Sequence, residues 1–338
     1  MGCDGCELYP SLSLVRKTIT NVLQTLATTT PGVITAIENA TGLGQQHVRL
    51  CVHNISQRIA AAATADQGLQ SLIASQVVEE TTKLFVCYAA DMHRSFNPGG
   101  ANNWFAHPFE KPRLFPGRVA TAALMPPPKA AEIADKPWLK GYRRLIFVSD
   151  MGDALSRDVP FDYLLQEVIV SASSTAGSRH IWLWLTKRPK RMAEFSAWLS
   201  QRRIDWPDNL VPMTTVTGPE TLRRIDHLLS VKARFRGLSL EPLWGPVSLP
   251  LDGINWVIVG GQSGDRARPF NLEWARQVRD GCRIAATAFF VKQLGRQPTD
   301  NGQPLQLTDS HGGDWAEWPV ELRVRQLPCE WCDQARTA

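Results

Sequence analysis

The stretch Ile254-Asn255-Trp256-Val257-Ile258-Val259 runs directly into Gly260-Gly261-Gln262-Ser263-Gly264 and decides the fold. A short apolar run bounded by glycines is typical of a buried strand that ends in a tight turn. The pattern then predicts a helix from about Leu272, which completes one unit of a parallel α/β sheet. The turn can leave backbone N–H groups free near a helix start and let a ligand approach closely. A plain connection between strand and helix explains it equally well.

The same strand–helix unit recurs from residue 143 onward. The other apolar runs lie at 144–148, 180–185, 210–216, 235–238 and 288–291. Further helices are predicted to begin near Phe161, Pro189 and Pro219. Continuous apolar strands that alternate with helices indicate a parallel sheet covered on its faces. With the run 84–86 counted as another strand, the number of units favours a partial or full β/α barrel.

Polar residues follow each predicted strand, at 87–88, 149–153, 186–188, 214–215, 239–242, 260–264 and 292–293. Because the carboxyl ends of parallel strands meet at one rim, residues far apart in sequence are expected to converge on one site. The candidate binding residues at this rim are Ser149, Asp150, Lys187, Arg188, Glu241, Gly260, Gly261, Gln262, Ser263, Arg266 and Arg268. Glu241 can accept hydrogen bonds from an ammonium group or from hydroxyls. The basic members can hold a carboxylate or a phosphate, with a structural ion pair as the alternative for each.

Three cysteines suggest a metal centre. Cys3 and Cys6 form a Cys-x2-Cys pair, and Cys87 ends the apolar run 84–86, so a strand end can bring it to the same region. Thiolates suit iron–sulfur clusters and zinc, and three thiolates on a four-iron cluster would leave one iron open to a small molecule. Zinc, a redox pair or no metal are the alternatives for the pair alone. Cys87 alone is also consistent with a small buried residue.

A second Cys-x2-Cys pair, Cys329 and Cys332, lies near the C-terminus. Together with Cys3 and Cys6 it would complete a four-thiolate zinc site. A separate clip and an unliganded pair are the other interpretations.

Composition limits the cellular compartments in which the protein is expected. The 338-residue chain has no apolar run long enough to span a membrane and no signal segment at its start. Seven cysteines, an odd number in a chain without a signal, argue against a disulfide framework and favour a reducing cytoplasm. The net charge of +5 permits a polyanionic partner without demonstrating one.

Residues 7–83 differ from the rest and are predicted to be helical. Within them, 33–40 and 45–55 flank the turn 41–44, a pattern typical of a helix-turn-helix or of an ordinary helical hairpin. The expected domains are a β/α barrel from 1–6 and 84–300, an inserted helical domain at 7–83, and a C-terminal extension at 301–338.

In combination, these motifs resemble the phage-associated three-Cys-motif proteins, a radical-SAM-like family. The matching stretches are GCDGC at 2–6, CYA at 87–89, FVSDMGD at 147–153, LTKRP at 185–189, LSLEPLWGP at 238–246, WVIVGGQSG at 256–264, ARP at 267–269 and FFVKQLG at 289–295. The chain differs from the family in three respects. The cysteine loop is split by 7–83, and Gln262 stands where a glutamate is usual. The chain also begins almost at Cys3 without a lead-in strand, which raises the expectation of a start upstream of Met1.

The resemblance implies a partial (β/α) barrel of radical-SAM type with an inserted N-terminal helical segment. It implies a [4Fe-4S] cluster held by Cys3, Cys6 and Cys87, with S-adenosyl-L-methionine (SAM) chelating the open iron. One-electron reduction, from a donor such as flavodoxin or ferredoxin, would cleave SAM to a 5′-deoxyadenosyl radical that abstracts hydrogen from the substrate. The implied cofactor-binding residues are Ser149, Asp150, Glu241, Gly260, Gly261, Gln262 and Ser263, and the candidates for substrate binding are Lys187, Arg188, Arg266 and Arg268.

The first hypothesis is therefore a radical SAM enzyme that modifies or repairs a nucleic acid base (DNA included) or a nucleotide, away from any membrane and with or without a partner protein. The phage association and the basic strand ends motivate this substrate class. The alternative is a non-catalytic, zinc-stabilised DNA-binding protein that uses the helices at 31–56 for recognition. Its zinc would be held by Cys3, Cys6, Cys329 and Cys332.

Overall fold

The computed structural model describes residues 113–149, 152–264 and 267–332. Contacts within the chain place a boundary after Leu114, and almost all of the described residues belong to the compact unit Phe115–Ala338. The helical segment predicted at 7–83, the strand predicted at 84–86 and the three candidate cluster cysteines lie outside the described residues. The domain division proposed from the sequence therefore stays a prediction.

Six strands form one parallel sheet in which neighbours follow chain order. They are β1 (Leu145–Phe147), β2 (Ile181–Thr186), β3 (Leu210–Thr215), β4 (Gly237–Leu240), β5 (Trp256–Gly260) and, after the short strand β6 (Phe270–Asn271), β7 (Ala288–Gln293). The spatial order β1-β2-β3-β4-β5-β7 never doubles back, which is the winding of a β/α barrel and not of a doubly wound sheet. The chain is thus a mixed α/β protein with a six-stranded parallel half-barrel, and the predicted partial barrel is confirmed at that level.

Two helices precede β1, and the others connect strands. They are α1 (Arg118–Ala123), α2 (Ala130–Asp135), α3 (Phe161–Leu164, a π-helical turn Leu165–Ile169, then Val170–Ser173), α4 (Pro189–Gln201), α5 (Arg224–Leu229) and α6 (Leu272–Ile284). The helix starts predicted at Phe161, Pro189 and Leu272 are confirmed, whereas only a 3₁₀ turn, Pro219–Thr221, begins at Pro219. A small second sheet joins β6 to β8 (Pro298–Asp300) and β9 (Gln303–Pro304). Within the described ranges, none of the helices combines the length and apolar character that crossing a membrane requires.

Local sequence signals explain where α4 and α6 begin. Pro189 occupies the first turn of α4, where its fixed φ fits and its missing N–H is not needed. Asn271 caps α6, since its side-chain oxygen accepts a 3.0 Å hydrogen bond from the Glu273 N–H. These signals fix the points at which the loops after β2 and β5 turn into helices.

The central strands β2 to β5 are packed on both of their faces. Trp182 and Trp184 lie almost fully buried in the core between the sheet and the helices. The alternate residues Ile181 and Leu183 lie on the inner face, in a second buried cluster with Trp256. Because both faces are covered, the strands need continuous apolar runs instead of an alternation of apolar and polar residues.

The C-terminal segment closes the amino-terminal end of the half-barrel. Trp331 is fully buried and packs edge-on against Trp256 and Phe235, with ring centroids 5.2 and 6.1 Å apart. The Arg143 N–H donates a 3.3 Å hydrogen bond to the Trp331 carbonyl. The last part of the described chain is thus a component of the inner core.

The same segment covers the outer edge of β7. The Val291 N–H donates to the Val324 carbonyl at 2.8 Å, and the Arg325 guanidinium carbon lies 4.1 Å from the centre of a Trp138 ring. The Arg325 guanidinium also donates to the Val291 and Lys292 carbonyls at 3.3 and 3.2 Å. Covering an edge strand in this way removes an open row of backbone hydrogen-bonding groups.

Candidate active site at the carboxyl edge of the sheet

The inner face of the half-barrel becomes polar toward the carboxyl ends of the strands. Successive side chains of a strand point to opposite faces. Thr215, Ser239 and Lys292 occupy inward-facing positions. Their immediate neighbours Val216, Leu238 and Val291 belong to the core on the helix side. With Trp331 and Trp256 at the amino end, the inner face therefore changes from apolar to polar along the strands.

Glu241 and Lys292 form an ion pair at this polar end. The Lys292 ammonium lies 2.8 Å from Oε1 and 3.0 Å from Oε2 of Glu241. Glu241 follows β4 and Lys292 belongs to β7, with β5 between them. Gly260, the last residue of β5, leaves room for the crossing, because a Cβ there would lie only 3.3 Å from the Glu241 Cγ. The side chains are 19% and 55% exposed, so a ligand can reach both charges.

Thr215 contributes a buried hydroxyl to the same face. Its side chain is fully buried, and within the described part of the chain its Oγ1 has no hydrogen-bond partner. Leaving a buried hydroxyl unpaired costs about 1–3 kcal/mol, so such a group calls for a partner. Thr215 is in register with Ser239 of β4. The two residues therefore add buried hydroxyl groups to the inner face.

Asp153 ties the loops after β1 and β2 together. Its carboxylate accepts the Thr186 hydroxyl at 2.8 and 2.9 Å and the Lys187 N–H at 3.1 Å. The Arg188 Nε lies 3.8 Å from Asp153 Oδ2. Burial raises the pKa of the Asp153 carboxyl, and the hydrogen bonds from Thr186, Leu155 and Lys187 oppose that rise. Of the candidate substrate-binding residues, Arg188 is thus held beside a buried carboxylate, and the backbone of Lys187 is fixed by it.

The glycine turn after β5 is locked against the loop after β7. A Cβ on Gly261 would lie 2.1 Å from the Leu294 carbonyl oxygen, and a Cβ on Gly295 would lie 2.6 Å from the Gln262 carbonyl oxygen. The Gly261 N–H donates to the Gln293 carbonyl at 3.1 Å. Close contact between two loops therefore accounts for glycine here. The α-helix after the turn begins only at Leu272, so the turn is not itself a helix start.

Gln262 orients a tryptophan–arginine stack at the same edge. Its Oε1 accepts a 3.1 Å hydrogen bond from Trp244 Nε1 and a 3.4 Å bond from the Arg268 backbone N–H. The Arg268 guanidinium carbon lies 4.1 Å from the centre of a Trp244 ring, within the range of a cation–π contact. Arg268 is exposed and Trp244 is half-buried. Two of the predicted site residues, Gln262 and Arg268, therefore meet at Trp244.

Of the remaining predicted site residues, Ser149 and Ser263 lie within the described part of the chain. The Ser149 hydroxyl donates to the Gly152 carbonyl at 2.7 Å, within its own loop, and Ser263 is exposed. The others lie outside the described residues; they are Asp150, Arg266, Cys3, Cys6 and Cys87.

The C-terminal cysteines lie at a 3₁₀ turn, Cys329–Trp331: Cys329 begins the turn and Cys332 follows it. The Cys332 thiol donates to the Gly141 carbonyl at 2.9 Å, and the Glu330 side chain, which accepts from the Cys329 thiol, raises the pKa of that thiol. In residues 113–149, 152–264 and 267–332, no group of three or more His, Cys, Asp or Glu side chains is arranged to hold a metal ion. A zinc site at this end would therefore depend on residues such as Cys3 and Cys6, outside those ranges.

From the sequence, Asp153, Thr215 and Lys292 are expected among the polar strand ends of this rim but are not among the candidate binding residues, and Trp244 is not expected there. Lys292 follows the inward-facing Phe290 by two positions, and Thr215 follows the inward-facing Met213 in the same way. Counting alternate positions along each strand would have found both. Asp153 and Trp244 carry no such signal, because loop conformation alone decides their neighbours.

Fold and site together define a parallel α/β half-barrel protein with a polar, charged site at the carboxyl ends of its strands. The chain belongs to the family described as protein of unknown function (DUF5131), whose model matches residues 76–321. No curated protein and no solved structure matches the chain. The family match contains Cys87 and every strand of the half-barrel, whereas Cys3, Cys6, Cys329 and Cys332 lie beyond its limits.

Proposed function

We propose that the chain is a radical SAM enzyme that acts on a nucleic acid base or nucleotide. The observation that carries the proposal is the polar inner face at the carboxyl end of a sequentially wound parallel half-barrel, on which Glu241, Lys292 and Thr215 lie, the Thr215 hydroxyl having no hydrogen-bond partner among the described residues. In parallel β/α architectures this end of the sheet is where ligands bind. The finer assignment to the radical-SAM type of barrel rests on the resemblance of the sequence motifs.

The chemistry of these residues fits the polar groups of SAM. The Lys292 ammonium can hold a carboxylate, the Glu241 carboxylate can accept from an ammonium group or from ribose hydroxyls, and the Thr215 hydroxyl can pair with either kind of group. Cys3, Cys6 and Cys87 would hold the cluster. When bound, cluster and SAM would supply the one-electron chemistry that removes a hydrogen atom from the substrate. The residues of this chain would bind, orient and shield the reactants.

Charge supports the choice of substrate class. The chain carries a net charge of +5, and exposed Arg268 and partly exposed Lys187 lie at the edge where the cofactor is proposed to bind. Such residues suit phosphate groups. A reducing cytoplasm belongs to the proposal, since cluster-binding cysteines must stay as thiolates.

The test is anaerobic purification and reconstitution, followed by iron, sulfide and zinc analysis and an absorption spectrum. We expect about four iron and four sulfide per chain, a visible band of thiolate-bound iron that changes on addition of SAM, and reductant-dependent cleavage of SAM. Cys87→Ser should lose the cluster. Cys329→Ser, the matched control, should keep it.

Two outcomes would contradict the proposal. One is a chain that takes up a single zinc and no iron, with Cys329→Ser losing the metal and Cys87→Ser keeping it, which is the pattern expected of the zinc-stabilised DNA-binding protein. The other is a cluster whose spectrum does not respond to SAM and that cleaves none.

A further inference from the structure

We propose that Trp244 and Arg268 form a platform that binds single-stranded nucleic acid at the carboxyl edge of the half-barrel. The inference rests on the substrate class of the proposed function and deepens it, because it specifies a single strand and names the residues that receive it. It is independent of the cluster.

The geometry of the stack suits a base and its phosphate at once. With its carbon 4.1 Å from the Trp244 ring, the exposed Arg268 guanidinium can turn one face to the indole and the other to a ligand. Bases stack on arginine planes and on aromatic rings, and the N–H groups at the edge of a guanidinium match phosphate oxygens. One residue pair therefore offers both contacts that an unpaired nucleotide needs.

Hydrogen bonds hold the platform in position before any ligand arrives. Gln262 Oε1 accepts from both the Trp244 indole and the Arg268 backbone, at 3.1 and 3.4 Å. The Trp244 backbone N–H donates to the Thr217 carbonyl at 2.8 Å, which fixes the loop after β4 to the loop after β3. A rigid aromatic anchor loses little conformational freedom on binding.

The charge around the platform favours a polyanion. Among the described strand ends and the loops that follow them, seven basic residues outnumber five acidic ones; the basic ones are Arg157, Lys187, Arg188, Arg223, Arg268, Lys292 and Arg296, and the acidic ones are Asp153, Asp158, Glu220, Glu241 and Asp252. A single strand is favoured over a duplex because paired bases hide the faces that would stack on the platform.

The chain provides a matched control at the opposite end of the sheet. The Arg202 guanidinium carbon lies 3.8 Å from a Trp198 ring centre, just after α4 and before β3. Arg202 is exposed, like Arg268. The two arginines share their chemistry and their aromatic contact and differ in position.

The experiment measures binding of fluorescein-labelled oligodeoxythymidine to the full chain by fluorescence anisotropy across a series of salt concentrations. Arg268→Ala should weaken binding about 10-fold and reduce the slope of log affinity against log salt by about 0.7, the value for one phosphate contact on a single strand. Trp244→Ala should weaken binding between about 5- and 100-fold with little change of slope, and Trp244→Phe should retain most of the affinity. Arg202→Ala should bind like the parent chain.

Several results would overturn the platform. Equal losses in Arg268→Ala and Arg202→Ala would reveal general attraction to a basic protein, and an unchanged affinity in a folded Trp244→Ala would remove the stacking contact. Tighter binding of duplex than of single strand would also overturn it. If the chain builds the cluster and cleaves SAM but binds no oligonucleotide, the platform is wrong and the proposed enzyme stands. If binding depends on the platform but the chain assembles no cluster, the proposed enzyme is wrong and the platform stands.

Discussion

The Lys292 ammonium meets the Glu241 carboxylate at 2.8 Å across Gly260, the last residue of the strand that separates them. The pair is therefore built by three neighbouring strand ends. The absence of a side chain at Gly260 leaves the space in which the Glu241 side chain reaches Lys292. A pair exposed to this degree contributes little to stability, typically about 0–1 kcal/mol. Its position on the polar inner face fits the ligand-binding role that we propose for it.

Replacement of Lys292 separates binding from stability. Lys292→Met keeps the aliphatic stem and should change the free energy of unfolding by less than about 1 kcal/mol. Under the proposed function, SAM cleavage should fall about 10-fold or more, because the charge-assisted contact that we propose between Lys292 and the SAM carboxylate would be lost. Urea unfolding and a cleavage assay on reconstituted protein measure the two effects. Lys190→Met, an exposed lysine of α4, is the control and should change neither. Marked unfolding with unchanged cleavage per folded molecule would instead assign the pair to the scaffold.

Asp153 is expected to be important for stability. Asp153→Ala would leave the Thr186 hydroxyl and the Leu155 and Lys187 N–H groups without their acceptor, so we expect a loss of about 3 kcal/mol in urea unfolding. Asp153→Asn keeps one carbonyl oxygen and should lose less. Asp158→Ala, which removes an exposed acid of the same loop, should be nearly neutral. Equal behaviour of Asp153→Ala and Asp158→Ala would contradict this role.

A salt bridge between α6 and the small second sheet predicts a pH dependence. Arg276 donates to Asp300 at 2.7 and 3.0 Å, and this guanidinium lowers the pKa of the Asp300 carboxyl. A lowered pKa means that the folded state binds fewer protons than the unfolded chain. The stabilisation is therefore complete above the unfolded-state pKa of about 3.9 and is lost as the pH falls through the folded-state value.

Asp300→Asn should accordingly lower the free energy of unfolding by about 1–2 kcal/mol near neutral pH, and the difference from the parent chain should shrink below about pH 4. Urea unfolding of both chains at a series of pH values measures this difference. Asp252→Asn, at an exposed acid, serves as the comparison. A difference that stays constant down to the lowest pH would sink the electrostatic explanation.

The half-barrel was predictable because its sheet is covered on both faces. Burial on both sides turns the strands into continuous apolar runs such as the one at 256–259, and those runs are visible without any knowledge of the fold. Trp331 shows the opposite case. It lies in no periodic segment, and only contacts with Trp256 and Phe235, far away in sequence, place it in the core.

In the candidate site, too, some residues could be placed from the sequence pattern and others depend on contacts between distant segments. Glu241 and Lys292 could both be placed at this rim from the sequence, because each follows a predicted strand, and the alternation of β7 adds that Lys292 faces inward. The meeting of Trp244, Gln262 and Arg268 could not be anticipated, since it depends on how two irregular loops are folded against each other. Residue type and spacing thus indicate the edge of the sheet, and loop structure decides the pairs that form there.

The contact between the loops after β5 and β7 yields a prediction with an internal control. A methyl group on Gly261 would lie 2.1 Å from the Leu294 carbonyl oxygen, so Gly261→Ala must displace backbone and should cost about 3 kcal/mol or more. At Gly245 the nearest atom to such a methyl group is 3.9 Å away, so Gly245→Ala should be tolerated within about 1 kcal/mol. Urea unfolding measures both, and a change in tryptophan fluorescence of Gly261→Ala would report the displacement of Gln262 from Trp244. If the two alanine variants unfold at the same urea concentration, the loops are not locked together through Gly261.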